Sequence, residues 1–155
     1  METVDDFYSE FVKKIEAGGV LGDMSGITRE QYDAVYQIAC TLYDRGQYHD
    51  AGKLFSFLVV HNHLDRKHLF GYAASMQMTG NYEKALEYFG LSFVLDDDDY
   101  LPMFHACECL IALGRVEDAR AGLELIIKSS SEPESEALRE RSSATLALLA
   151  QPEKS

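Results

Sequence analysis

This chain of 155 residues has little that marks a membrane protein, a disulfide scaffold or a nucleic-acid binder. No stretch approaches the ~18 uninterrupted apolar residues of a membrane-spanning helix, so no membrane insertion is expected. Three cysteines, an odd number, do not read as a disulfide framework. The opening residues METVDDFYSEF are acidic and lack the basic start and apolar run of a secretory signal, which makes a reducing cytoplasm the expected home. Basic side chains are scarce: 14 Lys and Arg stand against 26 Asp and Glu, a formal net charge of −12. Non-specific binding to nucleic acid rests on Lys and Arg at phosphates, so no nucleic-acid partner is expected. The acidic surplus would keep a complex with an aggregation-prone partner dispersed, and an ordinary solvated surface accounts for it equally well.

Catalytic signatures are missing too. There is no Gly-rich phosphate loop, nucleophile elbow or metalloprotease motif, so no catalytic residue, cofactor or metal is assigned. His61, His63 and His68 cluster around a turn without a fixed fourth ligand and read as surface histidines. Cys107 and Cys109, two apart on an expected helix, point to different sides and read as buried small residues. The run Asp96 to Asp99 lacks the alternating ligands and glycine of a calcium loop. It reads instead as the acidic approach to a helix, complementing the helix dipole.

What the chain does have is a period. Gly46, Gly80 and Gly114 are 34 residues apart, as are Ala51, Ala85 and Ala119, and Phe55, Phe89 and Leu123. Tyr48, Tyr82 and Val116 keep the same step. A glycine turn, an alanine five residues on and a large apolar residue four later, repeated at this period, resembles the tetratricopeptide pattern. The expected fold is therefore all-α, one domain of three tandem helical hairpins stacked as an α-solenoid. The repeats are expected over 32–65, 66–99 and 100–133, with a capping helix over 134–150. Val4, Phe7, Tyr8, Phe11, Val12 and Ile15 recur at helical spacing and predict an amphipathic helix over 3–17, ended by Gly18 and Gly19. Its aromatic stripe is richer than an end cap requires, so Phe7, Tyr8, Phe11 and Ile15 are expected to contact a second copy. Thr28 followed by Gln31 has the form of a capping box.

In such a stack the first helix of each hairpin faces the concave side. The second, fifth, ninth and twelfth positions of each repeat then point inward: Asp33, Tyr36, Cys40 and Tyr43; Lys67, Phe70, Ala74 and Gln77; Leu101, Phe104, Glu108 and Ile111, with His105 alongside. A mostly aromatic and aliphatic surface with a few polar groups suits an extended apolar peptide. The same aromatics could instead fill core between helices. A clamp for an acidic C-terminus would need several basic residues on these helices, and only Lys67 qualifies.

Beyond the period, the stretches Ile15 to Leu21, Tyr43-Asp44-Arg45-Gly46, Leu54 to Leu58 and Asp99 to His105, with Cys109-Leu110, resemble the class II chaperones of bacterial type III secretion, which hold translocator proteins before export. The resemblance covers nearly the whole chain. It implies a non-enzymatic bacterial cytoplasmic chaperone, a homodimer when free of client through its N-terminal helix, and a groove that takes a short proline- and leucine-containing segment of each of two hydrophobic translocators. Tyr36, Tyr43, Phe70 and Phe104 match apolar groove positions of that family, and Cys40 stands where some members have tyrosine. Some members also assist gene regulation. The alternative is a structural adaptor that assembles folded partners on the same architecture.

Overall fold

The protein was analysed as a computed structural model, which describes residue 6, residues 27–130 and residues 132–151. The expected helix over 3–17, with Phe7, Tyr8, Phe11 and Ile15, lies outside the described residues apart from Asp6.

Thr28 opens the first hairpin with the reciprocal cap its sequence predicts. Its hydroxyl accepts from the Gln31 amide (3.2 Å), and the Gln31 side chain accepts from the Thr28 amide (2.9 Å). Helix α1 then spans Arg29–Asp44 and pairs with α2, Tyr48–His61. The second hairpin is α3, Arg66–Met78, with α4, Tyr82–Leu95. The third is α5, Leu101–Ala112, with α6, Val116–Ser129. A single 3-10 turn at Pro133–Ser135 leads into α7, Glu136–Leu149.

Each hairpin turns on one of the periodic glycines. Gly46, Gly80 and Gly114 have φ of 79°, 81° and 76°, the left-handed region that a Cβ disfavours. Between the paired helices, Ala51, Ala85 and Ala119 are fully buried, so the backbones approach closely where the side chain is smallest. Each helix packs chiefly on the helix before it and the helix after it. Three clusters of core residues result, one for each hairpin. The first is centred on Leu42, Leu54 and Leu58, the second on Ala85 and Phe89, and the third on Leu123 and Ile126. Leu138, Leu146 and Leu149 of α7 close the third cluster, which would otherwise lie open at the end of the stack.

The loop before α5 explains the acidic run. Asp99 accepts from the Leu101 amide (3.1 Å), and Asp96 and Asp99 together hold the Arg66 guanidinium at 3.0 and 2.8 Å. The run therefore fastens the second hairpin to the start of the third. Cys107 and Cys109 are buried, as their spacing suggested. His63 is exposed, as expected, whereas His61 and His68 differ from expectation. His68 is only 9% exposed and lies against Tyr36, with ring centroids 5.7 Å apart. His61 is hydrogen-bonded to the Tyr32 hydroxyl (2.9 Å) and its ring lies tilted against Phe57, with centroids 4.7 Å apart. Both rings fill space between helices, where an imidazole packs as a flat, mostly apolar body. Among the described residues no group of His, Cys, Asp and Glu could hold a metal ion.

Candidate binding groove

The first helices of the three hairpins border one cavity of about 360 Å³. Tyr36, Cys40 and Tyr43 enter it from α1, and Lys67, Phe70, Ala74 and Gln77 from α3. Leu101 and His105 enter from α5. Spacings of three and four residues keep each set on one helix face.

Its wall is built from interlocked rings. Phe70 stands edge-on to Phe89, with centroids 5.4 Å apart at 68°. His105 lies nearly parallel to Phe89 (5.4 Å, 20°) and edge-on to Phe70 (5.7 Å). Such offset and edge-to-face pairs fix ring positions beyond simple burial. Phe89 itself is fully buried in α4, so the exposed faces of Phe70 and His105 rest on a rigid backing.

The polar groups are mostly committed. His105 Nδ1 donates to Glu108 Oε2 (2.7 Å), and Gln77 Nε2 donates to the same oxygen (3.1 Å). The bond from His105 is the main reason the Glu108 carboxyl sits below its usual range, against the opposing effect of burial. Burial pushes the Tyr36 hydroxyl up to about 12, helped by its hydrogen bond with Cys40. It also raises the Cys40 thiol, which leaves that sulfur protonated and unreactive near neutral pH. The Lys67 ammonium lies 5.3 Å from the centre of the Tyr36 ring, a cation–π arrangement at the cavity's edge. Nothing here resembles a nucleophile with its base; the arrangement offers shape, apolar surface and a few fixed donors.

Four expected groove residues lie elsewhere. Phe104 is 3% exposed and belongs to the third core cluster, with the Arg141 guanidinium of α7 4.5 Å from its ring centre. Its repeat equivalents also meet the next helix, Tyr36 through Lys67 and His68 and Phe70 through His105, yet both stay half-buried and line the cavity. Ile111 packs at the margin of the same cluster. Glu108 reaches the cavity only through its bonds to His105 and Gln77. Asp33, at the second position of the first repeat, is exposed outside the cavity.

Sequence reasoning missed Asp44, Phe55, Arg66, Gly71, Ser92, Asp99 and Pro102, all of which line the cavity. Phe55 comes from a second helix, α2, and shows through because Gly71 opposite carries no side chain. A glycine inside a helix is unfavourable by roughly 1 kcal/mol, and that oddity was the available signal for a close approach.

A tetratricopeptide repeat family matches residues 67–99. The low calcium response locus protein H of Yersinia pestis is 31% identical over 111 residues, 72% of this chain and 66% of that protein. Among solved structures, the Yersinia enterocolitica type III secretion chaperone SycD in complex with a peptide of the translocator YopD is similar at 31% identity. That match has a TM-score of 0.74 and covers 80% of this chain and 95% of SycD. PcrH of Pseudomonas aeruginosa, in complex with the chaperone-binding region of PopD, is 29% identical with a TM-score of 0.74, covering 80% and 94%.

Proposed function

Because the chain belongs to the translocator chaperones of type III secretion, we propose that it holds hydrophobic translocators by an extended segment laid in this cavity. The observation that carries the reading is the convergence of Tyr43, Phe70 and His105 from three separate hairpins on one cavity. An apolar side chain entering there replaces water against rings whose positions are already fixed, so little ordering entropy opposes binding. Donors at the edge, Gln77 and Lys67 among them, meet the carbonyls of the extended segment. The work is binding, as in the chaperones it resembles, with no bond made or broken.

The finer reading is that two translocators are served, each through a short segment containing proline and leucine, in the bacterial cytoplasm. The client-free protein is a homodimer through its N-terminal residues, and deletion of residues 1–20 leaves a monomer by light scattering. An unchanged mass after that deletion removes the dimer from the reading.

Co-expression with candidate hydrophobic translocators, followed by size-exclusion chromatography with light scattering, tests the main claim. The expected result is a soluble complex lost in Tyr43→Ala and Phe70→Ala. Translocators that stay insoluble, or a complex indifferent to both changes, overturns it.

One observation favours a second reading, an adaptor for folded partners. The second helices carry an exposed apolar row that includes Val60 (58%) and Val94 (75%), one repeat apart. A partner that binds only when folded, and releases on Val94→Asp rather than Phe70→Ala, identifies that case.

A further inference from the structure

Two uncommitted charges of opposite sign border the cavity, one beside the Tyr36 ring and the other about two helical turns further along α1. Arg66 is not one of them, since Asp96 and Asp99 hold it from two sides. Nor is Glu108, which His105 and Gln77 occupy. Asp99 is spent on Arg66 and on the Leu101 amide. That leaves Lys67 near the start of α3 and Asp44 at the end of α1. Among the described residues neither makes an ion pair or a side-chain hydrogen bond to another residue, and both line the cavity. Lys67 is exposed but not loose: its ammonium is steered over the Tyr36 ring, leaving donors free toward the cavity. Cys40 lies between the two charges and senses both. Burial does most to raise its thiol; the Asp44 carboxylate adds to the rise and the Lys67 ammonium opposes it.

We infer that Lys67 and Asp44 set the direction in which a peptide lies in the cavity, by selecting an apolar segment with an acidic residue at its Lys67 end and a basic residue at its Asp44 end. An apolar surface alone accepts a segment in either sense, because rings and methyl groups carry little polarity along the chain. Opposite charges at two separate points break that symmetry, and the reversed segment meets like charge at both. In a chain of net charge −12, a lysine at the cavity's lip also gives an acidic residue a local attraction against a repelling background. This inference rests on the cavity being the client site.

Fluorescence anisotropy with the full chain tests it. The probes are three labelled synthetic peptides sharing one leucine- and proline-containing core: glutamate before and lysine after, the reverse order, and glutamine at both ends. The expected result is that one charged order binds about fivefold tighter than the other, with the neutral peptide between them. The double variant Lys67→Glu with Asp44→Lys reverses the ranking, and added salt compresses it. Equal binding of all three peptides overturns the inference and leaves the client site standing. A preference that the double variant does not reverse also overturns it. If none of the three binds, the cavity is not a peptide site, and both readings fall together.

Discussion

Gly71 and Phe55 are fitted to one another across the α2–α3 contact. A Cβ on Gly71 would fall 2.6 Å from Cδ1 and Cζ of the Phe55 ring and closer still to Cε1. Gly71→Ala therefore sets two effects against each other. Alanine favours the helix by roughly 1 kcal/mol, while forcing the ring aside costs about 1–3 kcal/mol. The clash is with a ring that is itself buried, so the net effect is destabilisation, read as a lower urea midpoint. Phe55→Leu in the same chain recovers part of the loss; a Gly71→Ala variant as stable as the parent would show that the ring moves freely.

Ala85 makes a similar point at the centre of the stack. It is 0% exposed where α4 meets its neighbours, and Ala85→Leu has no space to enter. The expected cost is on the order of 1–3 kcal/mol, visible as a lower melting temperature. Unchanged melting would mean the hairpin opens there without penalty.

Phe70 and Phe104 separate binding from stability although they share one repeat position. Phe70→Ala removes a half-buried cavity wall and is expected to weaken client binding by about 1–4 kcal/mol. Phe104→Ala instead opens a hole beneath Arg141 and costs folding stability, about 3–5 kcal/mol for a buried phenylalanine. Calorimetry for the first and urea titration for the second check the division. Loss of binding by a fully folded Phe104→Ala protein would return that residue to the cavity.

Acid weakens the fold in two steps. Burial lowers His61 from its ordinary 6.5, and the His105 hydrogen bond, more than any other influence, lowers Glu108 from 4.5. In both cases the unfolded chain binds more protons between the two values, so stability rises with pH. The His61 contribution is whole above pH 6.5 and is lost as pH falls through its lower folded value; Glu108 follows below 4.5. Urea midpoints taken downward from neutral pH register the first loss, and His61→Asn flattens it. A parent profile as flat as the variant's contradicts the assignment.

The hairpins were legible because their determinants are local and periodic. A glycine that must take positive φ and an alanine that must be small leave a mark every 34 residues, and Thr28 with Gln31 marks a helix start within one turn. Tyr36, Cys40, Tyr43, Phe70 and Gln77 were legible as cavity residues for the same reason, since periodicity fixes helix faces. Phe104 was not, because its burial depends on where α7 lies, and that packing leaves no trace at the fifth position of the third repeat. His61 and His68 failed likewise: their local sequence is a polar turn, while Tyr32, which meets His61, and Tyr36, which meets His68, come from another helix, α1. Phe55 and Ser92 belong to second helices, which the inward-facing register does not count.

Each helix rests chiefly on its sequence neighbours, so the ends of this stack can fray while the middle holds. A segment spanning α1, α3 and α5 touches helices that barely touch one another. It would work as a splint, so that neither end hairpin opens without breaking the same bound strand, and a row of semi-independent hairpins would melt as one body.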